Sequence, residues 1–264
     1  MTALLPSFAR FGSVRPLVRY VDKDQAVVEV MVDVAPPVPA SRGRKRPQEL
    51  RVLLEVDTDD GFHDEESAAI KPRATHGSVR MGIVEPRRWW PANMGEQPLY
   101  KLGVSLMVDD EVSDHWSGTV GLTSVRPPDS HASRADPVLL VNGEECKLAA
   151  IVPVDLIHER NLLPVAGDSL MIVRGHWGPD VLFEAADRAG ILLIQCVPID
   201  DDGRPEATMV EQINRLSRHP SLAGWYVGHL GAYTERMAYC ISTLDPTRPV
   251  FRELPQASRG IAAA

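Results

Sequence analysis

Residues 170–197 read LMIVRGHWGPDVLFEAADRAGILLIQCV, and this stretch decides how the second half of the chain folds. Leu170 to Arg174 opens with a short apolar run that suits a strand. Pro179 to Arg188 then has helical spacing with Val181, Leu182, Ala185 and Ala186 inward, and Gly190 stands where a left-handed residue would stop the helix. Ile191 to Val197 is a continuous apolar run, as expected of a strand buried on both faces of a parallel sheet.

The same grammar continues downstream. A second amphipathic helix carries Met209, Ile213 and Leu216, a strand runs from Leu222 to Val227, a third helix spans Thr234 to Leu244, and Val250-Phe251-Arg252 starts one more strand. Repeated strand-helix alternation implies right-handed parallel crossovers, hence either an open α/β sheet or part of a β/α barrel. Residues 255–264 read as a flexible tail.

Upstream the pattern differs. From Val14 to about Arg126, short apolar or alternating runs such as Gln25 to Val34, Glu49 to Val56 and Leu99 to Val108 are separated by Pro, Gly and Asp turns, the pattern of a β-sandwich. Asp57-Thr58-Asp59-Asp60-Gly61 reads as a turn between strands, because its glycine comes one position too early for a calcium-binding EF-hand loop. The expected organisation is an N-terminal segment (1–13), a sandwich (14–136), a partial β/α barrel (137–254) and the tail.

A chain of 264 residues with 44% hydrophobic content buries a substantial core. Its 36 acidic residues outnumber 28 Lys plus Arg, a formal net charge of -8, which argues against a nucleic-acid partner held by phosphate neutralisation. The one basic run, Arg42-Gly43-Arg44-Lys45-Arg46, lies in a Pro-rich stretch and reads as a solvated loop. The N-terminus lacks a basic start and an apolar core of secretory length, and no run approaches the ~18 apolar residues that span a bilayer, so a cytoplasmic protein without a membrane span is expected. Cys146, Cys196 and Cys240 are odd in number and widely spaced, which points to reduced thiols rather than disulfides or zinc. His158-Glu159-Arg160-Asn161 lacks the spacing of a zinc helix, and no metal or cofactor is expected.

Two segments carry a family resemblance. Trp89 to Leu102 reads WWPANMGEQPLYKL and Ser217 to Leu230 reads SRHPSLAGWYVGHL; both resemble glycoside hydrolase family 2, the β-galactosidase, β-glucuronidase and β-mannosidase group. Val141-Asn142-Gly143 resembles that family's hairpin entering the barrel, Arg174-Gly175-His176-Trp177 its stretch after the second barrel strand, Phe183 to Gly190 its helix ending in Asp-x-x-Gly, and His219-Pro220-Ser221 its turn before the fourth strand. The resemblance covers roughly the last two thirds of the chain, in the family's order, and implies an immunoglobulin-like β-sandwich followed by a truncated TIM-type β/α barrel, a multidomain β plus α/β fold.

The departures bear on chemistry. In the family the second segment ends in Asn-Glu, the glutamate being the general acid, whereas these positions hold His229 and Leu230 here. The third strand, which ends in a glutamate in many members, aligns on Cys196, and the strand preceding the nucleophile has no counterpart. Retaining hydrolysis needs two carboxyl groups about 5–5.5 Å apart. Of the remaining carboxylates, Glu184, Asp187 and Glu211 fall on predicted helices and Glu159 in a predicted loop, which leaves Glu253, after the fifth strand, nearest the face where barrel chemistry collects.

Candidate ligand contacts are therefore Arg174, His176, Trp177, Trp225, His229 and Glu253, with no catalytic residue assigned. Trp225, inside an apolar strand, reads first as core, and Trp89 and Trp90 as packing at the junction of the two parts. A half barrel exposes unpaired strand edges, so a protein partner or self-association is expected to cover them. The resulting expectation is a non-catalytic, hydrolase-like structural or scaffold subunit. The alternatives are a carbohydrate-binding protein or remnant O-glycosyl hydrolase, or one half of a split enzyme.

Overall fold

A computed structural model describes residues 9–35, 49–127, 138–148, 150–154, 169–199, 207–228 and 234–254. The first part is a sandwich of seven antiparallel strands. β1 (Arg10–Val21), β2 (Gln25–Ala35) and β5 (His76–Val84) form one sheet in the order β1-β2-β5. β3 (Leu50–Asp57), β4 (His63–Ile70), β6 (Tyr100–Val108) and β7 (Glu111–Val120) form the other, in the order β4-β3-β6-β7. Alternation builds the core: Val28, Val30 and Val32 of β2 face Val52, Leu54 and Val56 of β3 and Leu102, Val104 and Leu106 of β6 in a single buried cluster, because side chains two apart share a face. The Asp57–Gly61 stretch closes the β3–β4 hairpin, with Thr58 N–H donating to Phe62 O and Gly61 at φ +96°.

Two elements lie across the expected boundaries. β1 starts at Arg10, inside the stretch expected to precede the sandwich. At the other end, β8 (Val125–Arg126) pairs not with the sandwich but with β9 (Val138–Val141), which continues through the Asn142-Gly143 turn into β10 (Glu144–Lys147). Both turn residues have positive φ, 52° and 84°, as a two-residue type I′ hairpin requires.

The second part is a five-stranded parallel sheet. Its strands β11 (Ala150–Val154), β12 (Ser169–Val173), β13 (Leu192–Cys196), β14 (Leu222–Tyr226) and β15 (Val250–Phe251) lie in sequence order. Helices α1 (Asp180–Ala189), α2 (Met209–Leu216) and α3 (Thr234–Leu244) connect the last four. Leu182 and Phe183 of α1, Ile213 and Leu216 of α2 and Met237 and Ile241 of α3 share one core with Val173, Leu193 and Trp225. All three helices thus cover one face. The other face, with Leu170, Leu192 and Ile194, packs on Leu139, Val141 and Cys146 of the β9–β10 hairpin and on Trp89. A doubly wound sheet reverses its strand order midway and carries helices on both faces; this sheet does neither. Among the described residues it is an open sheet rather than a closed barrel. None of the described helices is long and apolar enough to cross a membrane.

One face assignment in α1 also differs from the sequence reading. Val181 is 54% exposed and Phe183 fully buried. Positions 182, 183 and 186 share the sheet side of α1, which begins at Asp180, and 181 turns outward.

The two parts are joined at the C-terminus of α1. Trp89, fully buried, donates its indole N–H to Asp187 O at 2.7 Å, and Ala92 N–H donates to Gly190 O at 2.9 Å. Gly190 is held left-handed at φ +68°, and a Cβ there would meet Ala92 N at 2.5 Å, so only glycine fits both the cap and the approach. The Asp187 side chain, 2% exposed, accepts from His219 Nδ1 at 2.6 Å and from Ser221 N–H at 3.1 Å. Trp89→Phe keeps the ring but leaves a buried carbonyl without its donor, and is expected to lower stability by about 1–3 kcal/mol, read from the midpoint of urea unfolding.

Candidate functional site

The C-terminal edge of the parallel sheet gathers most of the candidate residues. Val173 pairs with Gln195, Cys196 with Tyr226 and Tyr226 with Phe251. By the pleat, Arg174, Cys196, Tyr226 and Phe251 stand on the face away from the helices, while Val173, Gln195, Trp225 and Val250 stand on the helix face. Tyr226 and Phe251 accordingly pack with the hairpin-side core and Val250 with the helix-side core.

Gln195 fixes this edge. It is the polar interruption in the apolar run from Ile191 to Val197 and is fully buried. Its Oε1 accepts from Gly178 N–H at 3.0 Å, and its Nε2 donates to His176 O at 2.9 Å and to Cys196 O at 2.6 Å. The loop carrying Arg174, His176 and Trp177 is thereby clamped to the strand end. Arg215 of α2 reinforces it from below, donating to Gly178 O and Asp180 Oδ1, both at 2.6 Å. The Asp180 carboxyl is held well below the usual carboxylate range, by His219 first and then by Arg215 and Arg218.

Each candidate has a definite place. Arg174 is exposed directly after β12. His176 is half-buried, and its Nε2 is enclosed with no hydrogen-bond partner among the described residues. Trp177 meets Trp225 edge to face, ring centroids 6.5 Å apart. Trp225 is fully buried, its indole N–H donating to Asp245 Oδ2 at 2.9 Å; it belongs to the helix-side core and is no ligand contact on the opposite face. Glu253 is exposed, two residues beyond β15, and no hydrogen bond joins it to the other candidates among the described residues. His229 and Leu230 lie outside the described residues, as do Glu159 and its neighbours.

The chemistry open to this edge is limited. Burial pushes the Cys196 thiol up to about 11, with Arg174 pulling partly against it, so at neutral pH the thiol is protonated and not a nucleophile. Glu253 is the one carboxylate directly following a strand at this end among the described residues. No described group of three or more His, Cys, Asp or Glu side chains is arranged to hold a metal ion. Gln195, Arg215 and Tyr226 were missed by sequence reading; a lone glutamine inside a buried strand was the one signal available.

Comparison with known proteins places this geometry. The family model described as Glycosyl hydrolases family 2 matches residues 16–122, so the likeness begins well before the motifs that carried it in the sequence. An exo-beta-D-glucosaminidase of Streptomyces avermitilis is 29% identical over 193 residues, covering 63% of this chain and 21% of the relative. Beta-mannosidase A of Emericella nidulans is 26% identical over 221 residues, covering 69% of this chain and 24% of the relative. Among solved structures, the Amycolatopsis orientalis exo-chitosanase superposes with TM-score 0.68 at 19% identity over 94% of this chain and 32% of that one. A Dictyoglomus thermophilum beta-D-mannosidase does so with TM-score 0.70 at 18% identity over 92% of this chain and 34% of that one. The chain thus spans a fifth to a quarter of the two curated relatives.

The thiol is open to direct measurement. At pH 8, three units below about 11, iodoacetamide should label Cys196 at ~0.1% of its fully ionised rate, by peptide-resolved mass spectrometry. Arg174→Gln should slow it further. Since the folded-state value is raised, this thiol's contribution to stability is complete below the unfolded value near 9 and is lost as pH rises from there towards 11.

Proposed function

From the chain's membership of glycosyl hydrolases family 2, we propose that it is a hydrolase-like structural subunit, an immunoglobulin-like sandwich bearing the first five strands of a β/α barrel, that acts within a larger protein assembly and does not itself hydrolyse glycosides. The observation that carries this reading is the sheet: five parallel strands in sequence order with the three described helices on one face. That is how a barrel wall is built, strand by strand, with the catalytic groups collected at the C-terminal edge. Among the described residues, the same edge here presents Arg174, a neutral thiol at Cys196 and, as the one carboxylate directly after a strand, Glu253. A retaining mechanism needs an acid and a nucleophile about 5–5.5 Å apart, and Glu253, the one such carboxylate among the described residues, supplies one of the two roles.

The edges of the sheet support the scaffold reading. Among the described residues β15 contributes only two residues and β11 is flanked on one side only, so the edges of the described sheet offer backbone donors and acceptors that further strands would pair. In this reading a partner protein completes the wall. The family relatives are glycoside hydrolases by name, so an enzymatic reading of the same edge makes a contrary prediction.

Two measurements separate them. Native mass determination of the protein isolated untagged from its own cells should give a stoichiometric protein complex, and neither it nor the isolated chain should release nitrophenol from aryl β-glucosaminide, β-mannoside or β-galactoside. A monomer that turns over one of these substrates, with activity lost in Glu253→Gln, overturns the proposal.

A further inference from the structure

At the opposite end of the parallel sheet from Arg174 and Cys196, a cleft of about 330 Å³ opens between β1, β8 and the Pro246–Pro249 segment that leads into β15. It lies at the junction of the two parts, where small-ligand sites are common, and its volume is at the lower bound of such sites, about 300 Å³. We propose that this cleft is a binding site for an acidic saccharide, with the sugar ring against Tyr20 and its anionic group between Arg19 and Arg126.

Charge is the first ground. Among the described residues three arginines, Arg19, Arg126 and Arg248, line the cleft and no carboxylate does, in a chain whose net charge is -8. Their engagements differ. Arg248 is used internally: its Nε donates to Leu222 O, its Nη2 to His219 O and its Nη1 to Thr247 Oγ1, with Asp245 3.7 Å away. It shapes the cleft wall and is already balanced. Arg19 donates through Nε to Glu29 at 2.5 Å and through Nη2 to the Met31 sulfur at 3.6 Å. Glu29 is shared with Arg80 at 2.8 Å, so two guanidinium groups face one carboxylate and the trio keeps one positive charge. Arg126 is exposed and has neither hydrogen bond nor ion pair among the described residues. An anion entering here meets Arg126, whose guanidinium fork is open among the described residues and suits carboxylate and sulfate oxygens, beside an Arg19 held in place through its Nε and Nη2.

The second ground is the aromatic wall. Tyr20 is 45% exposed, yet its hydroxyl is fixed by donation to Asp22 Oδ2 at 2.6 Å. Asp22 is itself held in the β1–β2 turn by the N–H groups of Asp24 and Gln25, so its charge is spent at the far tip of the ring. The result is a rigid, half-open aromatic face on a strand, the kind of surface that gives contact area at low entropic cost. Ser124 and Thr247 add hydroxyl groups to the lining, and Thr247 is kept in register by donating to Asp245 Oδ1 at 2.6 Å. Guanidinium groups answer the acid, the ring answers the apolar face of a pyranose, and the hydroxyl groups answer its own. A free inorganic anion would use only the first of these. The inference stands apart from the scaffold reading, since it uses none of the residues at the C-terminal edge.

The test is titration of the full chain, followed through backbone amide shifts, with D-glucuronate, D-glucose 6-sulfate, D-glucose and inorganic sulfate. An acidic sugar should bind in the millimolar range and move the amides of Val18–Val21, Ser124–Arg126 and Thr247–Arg248. Glucose and sulfate should each bind at least ~10-fold more weakly. Whichever acidic sugar binds more tightly identifies the anion as carboxylate or sulfate. Arg126→Gln and Tyr20→Ala should each weaken binding ~5–20-fold with the far-ultraviolet spectrum unchanged, and added salt should weaken the wild type more than Arg126→Gln. Absence of shifts at these amides overturns the proposal. So does sulfate binding as tightly as either acidic sugar with Tyr20→Ala indistinguishable from wild type, which would leave an anion site and no saccharide site.

Discussion

Everything in this molecule that has to meet does so at the last turn of α1. A helix ends with carbonyl groups that its own backbone cannot satisfy, and when that end is buried the donors must come from elsewhere in the chain. Gly190 and Ile191 N–H groups close on Ala186 O within the helix's own cap. Two further acceptors, Asp187 O and Gly190 O, are served from the sandwich side by the Trp89 indole and the Ala92 amide. Because these donors are about a hundred residues away in sequence, neither part can complete this helix end alone. The orientation of the sandwich on the parallel sheet is fixed by a hydrogen-bonding requirement as much as by apolar burial.

Asp187 extends the constraint into the sheet. Its carboxylate is withdrawn from water and satisfied by His219 and by Ser221 N–H, the turn that launches β14. A buried carboxylate that loses its partner typically costs about 3–5 kcal/mol, so α1, the His219–Ser221 turn and Trp89 form or fail together. Asn142 adds a fourth strut, donating to Trp89 O and accepting from Ser124 N–H, both at 2.9 Å. The β9–β10 hairpin is thereby locked under the same tryptophan. Arg15, reaching Asn214 of α2 at 2.7 Å, braces the outer edge.

Most of the elements were legible because their signals are local. The runs at 170–174, 191–197 and 222–227, the helical spacing between Met209 and Leu216, and Thr234–Leu244 all appear as elements within a residue or two of their sequence reading. Gly190 announced the end of α1 through its one permitted conformation. What stayed hidden depends on partners. Val181 turns out and Phe183 turns in because the sheet meets the 182, 183 and 186 stripe of α1, a choice made by the packing partner and not by the apolar spacing. β8 could not be assigned to β9 from two residues. Gln195 looked like part of an apolar run because the loop it clamps approaches it only in three dimensions. Asp187 read as an ordinary helix carboxylate, since nothing near it in sequence reveals that its helix end is roofed by Trp89. Parallel pairing was legible from alternation; the strand order and the closure of the wall were not, since alternation suits an open α/β sheet and part of a β/α barrel alike.

The candidate site shows why fold and chemistry separate so readily in such a sheet. Side chains in the body of β12, β13 and β14 are wedged between two cores, so their size and polarity are dictated by packing. At the strand ends that pressure lapses. Cys196 is where the family resemblance would place a glutamate, and the consequence for its neighbour can be followed. A carboxylate there would stand beside Arg174 and draw it inward as an ion pair; a thiol that burial keeps protonated offers the guanidinium no charge. Arg174 accordingly lies exposed, its charge screened by water rather than by the protein. The Gln195 clamp beneath them is indifferent to the exchange, because it bonds to the main-chain atoms of residues 176, 178 and 196 and to none of their side chains. Backbone-mediated support of this kind holds the loop in place whatever reactive group stands at Cys196, and a sheet built this way keeps its shape while the groups at its edge change.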